Sequence, residues 1–251
     1  MWHVARCSSS SRTSLGLAAV LAAVALTGCG EQWQAKIEGP FGTGADQYWV
    51  LRAHGHPRAV VALLHGLAPD SGEQLEPWQV HLAEQGDDVI YPRYEQPPPA
   101  PDARDHAVTG IRAGLAELGH PDAPLVLLGH SRGGRLAVEA AAYLKPQLVI
   151  AVYPGTINML FEPATNFRKI PHSTNIYIFV GDRDHGVGNA GALELNERLL
   201  AFDFPAGRIH GAVIRSTPRF TADHMSVYDL GAPAQKAIWA RVDRLIARVR
   251  R

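Results

Sequence analysis

Residues 125 to 134 read LVLLGHSRGG. An apolar run enters Gly129-His130-Ser131-Arg132-Gly133, and beyond it Leu136, Ala137, Ala140, Ala141 and Leu144 recur at helical spacing. Strand, Gly-x-Ser-x-Gly turn and helix follow one another with no linker, which is the context that gives this short pattern meaning. A serine on such a turn is held in a strained backbone, its hydroxyl raised above the C-terminal edge of a sheet and near a helix N-terminus. The flanking glycines remove side chains that would collide there. Lys145-Pro146 ends the helix.

The same alternation extends outward. Residues 59–64, 88–91, 125–128, 148–152, 176–180 and 209–214 read as strands, and about 73–85, 103–118, 132–144, 190–201 and 232–249 as helices. Unbroken Val/Ile/Leu runs suit parallel strands covered on both faces. Residues 33–53 add one or two strands at an antiparallel edge. The expectation is one α/β domain over 37–251, a mostly parallel sheet with helices on both faces. Two segments interrupt the pattern. Residues 96–101 (QPPPAP) form a stiff stretch, either a wall of the site or a rigid surface loop, and 155–174 lack a clear amphipathic helix.

At 251 residues, 46% hydrophobic and 19% charged, the chain has a globular balance. Lys plus Arg and Asp plus Glu both count 24, so no basic field recommends a nucleic-acid partner. The 12 histidines show neither H-E-x-x-H nor a clustered Cys/His spacing, so no metal is expected. Gly42-Thr43-Gly44 lacks the lysine and helix of a phosphate loop, and no cofactor is expected either. Trp33, Trp49, Trp78 and Trp239 read as packing residues, with Trp78 the one placed to reach a substrate.

The N-terminus reads as a targeting segment. Arg6 and Arg12 precede an apolar run at 15–26, too short to span a bilayer. The run ends in Leu26-Thr27-Gly28-Cys29, which resembles the lipobox of bacterial lipoproteins. That resemblance implies cleavage after residue 28, acylation of Cys29, a tether over 29–36 and a membrane-anchored envelope protein. The alternative is a plain secreted protein. Removing residues 1 to 28 from 251 leaves 223, and takes Cys7 with it. With Cys29 acylated no free thiol remains, which suits an oxidising compartment. Gly30, rather than aspartate, favours the outer membrane by the same resemblance.

Around Ser131 the chain resembles the α/β-hydrolase family, and the likeness spans about residues 40 to 250. It implies a serine nucleophile, then an acid, then a histidine in chain order. Gly181-Asp182-Arg183-Asp184-His185-Gly186-Val187 is similar to the family's G-x-x-D-x-x-V loop, which makes Asp184 the acid, with Asp182 the rival. Thr221-Ala222-Asp223-His224-Met225 follows the last strand and makes His224 the base, with His185 and His210 the other candidates. A serine hydroxyl needs such a base, and the base needs an orienting acid. His65-Gly66-Leu67 is similar to the His-Gly-x loop, so the oxyanion N–H donors are those of Leu67 and Arg132.

The implied activity is hydrolysis of carboxylic esters through an acyl-serine, on a small molecule or a surface-presented group, without a cofactor. Thioesterase, lipase and peptidase activity fit the same triad, as does a haloperoxidase-like side activity. The region between the sixth and seventh strands is short, which implies an open site suited to short or accessible acyl groups. The Arg132 side chain reads either as a contact for an anionic substrate or as the partner of a neighbouring acid. The alternative class is a non-catalytic envelope lipoprotein that uses the fold as a binding module.

Overall fold

The computed structural model describes residues 33–67, 71–95, 99–156 and 163–249. Cys29 and the expected signal segment lie outside the described residues, as do 68–70, 96–98 and 157–162. The strands are β1 (Ile37–Phe41), β2 (Tyr48–Leu51), β3 (Val60–Leu64), β4 (Asp88–Pro92), β5 (Leu125–His130), β6 (Leu148–Val152), β7 (Asn175–Gly181) and β8 (Ile209–Ile214). They form one sheet in the order β1-β2-β4-β3-β5-β6-β7-β8. β1 pairs antiparallel with β2, and β2 antiparallel with β4, while every other neighbouring pair is parallel. The two strands expected within 33–53 are therefore the antiparallel edge.

Alternate residues of each inner strand feed two separate cores. Val60, Ala62 and Leu64 of β3 pack beneath helices α2 (Ala103–Leu118), α3 (Arg132–Leu144) and α4 (Ala190–Ala201). Val61 and Leu63 turn the other way, toward α1 (Ser71–Glu84), α5 (Ala232–Ala237) and α6 (Trp239–Val249). Burial on both faces is why these strands read as continuous apolar runs.

One expectation is corrected. The helix expected over 232–249 is interrupted at Ile238, whose φ of −109° and ψ of −67° depart from the helical well. The interruption seats both Ile238 and Trp239 in the core. Trp78 is a packing residue, as its main reading expects, and only its suspected reach to a substrate is not seen. Leu75, Trp78 and Leu82 share one face of α1 and are all buried. The Trp78 ring stacks on that of Trp239 with centroids 5.9 Å apart. Trp33 meets His54 edge-on and Ala35 packs against the core, so the described end of the expected tether lies along the domain.

Candidate active site

The turn after β5 carries Ser131 at φ 55° and ψ −123°, a backbone conformation few non-glycine residues occupy. Its N–H donates to the Val152 carbonyl at 3.0 Å, and its own carbonyl accepts from Gly155 at 3.0 Å. The neighbouring strand thus holds the strained turn in place. A Cβ at Gly129 would lie 2.2 Å from the Gly133 carbonyl oxygen. One at Gly133 would lie 2.2 Å and 2.3 Å from the carbonyl oxygens of His65 and Leu64. Both glycines are therefore steric necessities of the crossing between β3, β5 and α3.

Asp184 and His224 arrive from loops after β7 and β8. His224 Nε2 lies 2.9 Å from Ser131 Oγ, and His224 Nδ1 lies 2.9 Å from Asp184 Oδ2. The other carboxylate oxygen, Asp184 Oδ1, accepts from the N–H groups of Gly186 at 3.0 Å and Val187 at 2.9 Å. Burial raises the Asp184 carboxyl, but the Val187 N–H and the His224 ring outweigh it and hold the group below its ordinary value. The structure thus brings the three predicted residues together in hydrogen-bonded series.

Asp182 and His210 are engaged elsewhere. Asp182 Oδ1 accepts from the Ser216 N–H at 2.9 Å and the Ser216 hydroxyl at 2.6 Å, in an exposed loop-bracing role. His210 lies within β8 with its ring stacked on Tyr177 at 4.4 Å. His185 is exposed in an open depression beside His224, together with Arg183, Ser216, Thr217 and Thr221.

The segment carrying His224 is braced by Gly181 of the acid-loop pattern and by residues that the sequence did not single out, Tyr153, Ser226, His130 and Tyr228. Gly181 has no Cβ because the Ala222 carbonyl oxygen would lie 2.2 Å from it. Ser226 donates its hydroxyl to the Asp223 carbonyl at 2.7 Å, so the buried Tyr153 hydroxyl at 3.2 Å donates to Ser226. Burial pushes the Tyr153 phenol up to about 12. His130 Nε2 lies 2.9 Å from the His224 carbonyl oxygen, and its Nδ1 lies 3.2 Å from the Tyr228 hydroxyl. His130 stood inside the quoted motif, but its spacing there carries no signal of that role.

Of the expected oxyanion donors, Arg132 follows the serine in sequence and the loop of Leu67 approaches it in the fold. Arg132 is the first residue of α3, where N–H groups have no intrahelical acceptor. Leu67 follows Gly66, at which a Cβ would lie 3.4 Å from Ser131 Cβ. His65 fixes that loop. Its ring stacks on Tyr94 at 4.2 Å, its Nδ1 donates to the Gly66 carbonyl at 2.6 Å, and its carbonyl accepts the Tyr94 hydroxyl. The Arg132 guanidinium is paired with buried Glu95 and donates to the Ala100 carbonyl, while Glu95 Oε2 accepts the Ala100 N–H at 2.9 Å. Of the two readings of that side chain, the partner of an acid is the one observed. The same contacts bring the described part of 96–101 against the residue after the serine, which favours a wall of the site. Among the described residues no group of three or more His, Cys, Asp and Glu side chains could hold a metal ion.

Burial pushes His65 down to about 4 and His130 down to about 3, the latter with help from His224. Both imidazoles are therefore neutral in the folded protein, whereas unfolded histidines titrate near 6.5. Between these values the unfolded chain binds more protons than the folded one, so stability is complete above about pH 6.5 and falls as the pH drops toward 4. Urea unfolding should show a clearly lower midpoint at about pH 4.5 than at about pH 7. An unchanged midpoint would contradict the neutral assignment.

A mostly parallel sheet of eight strands, two helical layers, and a Gly-x-Ser-x-Gly turn followed by an acid and a histidine at strand ends define the α/β-hydrolase fold. No protein-family model matches the sequence, and no curated protein matches it. Solved structures share the fold. An α/β-hydrolase enzyme, MGS-M1, from a Medee basin deep-sea metagenome library has a TM-score of 0.64 at 15% identity, covering 86% of this chain and 98% of that one. Esterase B from Lactobacillus rhamnosis, inhibited with a tributyrin phosphonate, has a TM-score of 0.62 at 16% identity, covering 86% of this chain and 85% of that one. An esterase/lipase from an uncultured bacterium has a TM-score of 0.59 at 16% identity, with coverage of 86% and 85%.

Proposed function

We propose that this protein is a serine hydrolase that cleaves carboxylic esters through an acyl-serine intermediate. The observation that carries the reading is the continuous series Asp184 Oδ2, His224 Nδ1, His224 Nε2 and Ser131 Oγ, with both contacts at 2.9 Å. Ser131 Oγ bonds to the ester carbonyl carbon as His224 Nε2 takes its proton. Asp184, itself fixed by two backbone N–H groups, keeps Nδ1 protonated and balances the imidazolium. The Leu67 and Arg132 N–H groups receive the negative oxygen. The carbon–oxygen bond to the leaving alcohol then breaks, and His224 returns the proton to that alcohol. Water, deprotonated by His224, attacks the acyl-serine, and the acid leaves as Ser131 regains its proton.

Esters of short or accessible acyl groups are the proposed substrates. The exposed side chains of Leu67, whose N–H is a proposed oxyanion donor, and of Met225, next to the base, offer apolar surface to an acyl group. The tributyrin phosphonate of the esterase with the same fold accords with a short acyl chain. p-Nitrophenyl acetate and butyrate should be turned over with kcat/KM well above that for the palmitate. No turnover of any of them, together with an unreactive Ser131, would turn the reading to a binding module. We also propose acylation at Cys29 and retention on the cell envelope, supported by the Leu-Thr-Gly-Cys sequence. Cys29→Ala should release the protein from the membrane fraction.

A further inference from the structure

We propose that His130 is a positioning residue that locks the base loop and the loop after β3 onto the serine turn; the inference rests on the Ser131–His224 reading above. His130 is the last residue of β5 and only 2% exposed. Its Nε2 lies 2.9 Å from the main-chain oxygen of His224, and a carbonyl oxygen only accepts, so Nε2 carries the hydrogen. Nδ1 is then bare in the neutral ring and accepts the Tyr228 hydroxyl at 3.2 Å. Two partners thus select one tautomer, and each belongs to the segment that carries the base.

The third contact is with the other side of the site. A Cβ at Gly66 would lie 3.3 Å from His130 Nδ1, so the loop that leads to the proposed oxyanion donor Leu67 runs against this same ring. The end of a central strand therefore touches the base loop, the Tyr228 turn and the oxyanion loop through a single side chain. The rings of His130 and His224 are 4.8 Å apart between centroids. His224 becomes an imidazolium during the reaction, and a neutral neighbour at that distance adds no repulsion to it. Burial keeps His130 neutral across the working range.

Placement of this kind alters the approach of reacting atoms more than substrate affinity. The test uses the full chain, with p-nitrophenyl butyrate turnover and the rate of fluorophosphonate labelling as readouts. In His130→Gln the side-chain amide supplies a donor near the position of Nε2, and kcat should stay within about threefold of wild type. His130→Leu has similar bulk but no donor. Its kcat and labelling rate should fall on the order of 30-fold while KM stays within about twofold. Wild-type kcat in a folded His130→Leu protein, or equal impairment of the Gln and Leu variants, would overturn the inference. Should His130→Leu not fold, Tyr228→Phe decides, with about a fivefold loss of kcat supporting the inference and an unchanged kcat overturning it. A wild-type Ser131 that does not label is a different result, because it removes the hydrolase reading itself.

Discussion

Ser131→Ala should lower kcat for a short-chain ester by about a million-fold while the protein still unfolds cooperatively at a temperature near that of wild type. The size of the effect follows from the chemistry, since without Oγ no acyl-enzyme forms and only water in the oxyanion site remains to react. His224→Ala should lose a comparable factor, because Oγ is then left 2.9 Å from nothing that can take its proton. Asp184→Asn should cost about ten-thousand-fold. An asparagine amide in place of Oδ2 would donate to His224 Nδ1, selecting the tautomer that turns a protonated Nε2 toward the serine. These losses do not add: Ser131→Ala combined with His224→Ala should be no worse than either alone. Steady-state kinetics on purified variants, with a thermal melt on each, checks all four statements.

Gly133→Ala should produce the largest structural defect of any single methyl addition at the site. The new carbon would sit 2.2 Å from the His65 carbonyl oxygen and 2.3 Å from that of Leu64. Those oxygens belong to backbone at the end of β3, and β3 is buried between β4 and β5, so neither can swing aside as a side-chain tip would. A loss of about 4 kcal/mol or more in unfolding free energy, or failure to accumulate as soluble protein, is expected. Gly207→Ala serves as the control, because a Cβ there meets nothing within 4 Å. Chemical denaturation of the two variants in parallel would expose the error if both proved equally stable.

The fold and the central series of residues were legible because each leaves a local trace. β3, β5, β6 and β7 lie between neighbours and under helices, so they show as apolar runs, and Ser131 lies between two glycines whose crowding a short pattern records. Asp184 was separable from Asp182 by the family's loop pattern, and the structure gives the physical reason: Asp182 is spent on Ser216. What stayed hidden depends on contacts far apart in the chain. The hydrogen bonds of His130 to the segment around His224 span 94 and 98 residues, and nothing local distinguishes that histidine from an ordinary one. Glu95 and Arg132 likewise meet only in three dimensions, which left the Arg132 side chain open between two readings. Trp78 packs in the core as its main reading expects, and its spacing from Leu75 and Leu82 gives the reason: all three share one face of α1.

An activated Ser131 is the premise on which the proposed hydrolase chemistry rests. Reaction of the full chain with a fluorophosphonate, followed by mass mapping of the adduct, should find a single modification on Ser131, absent from Ser131→Ala and strongly slowed in His224→Ala. A folded protein that takes up no label, or takes it up on a residue other than Ser131, would contradict it.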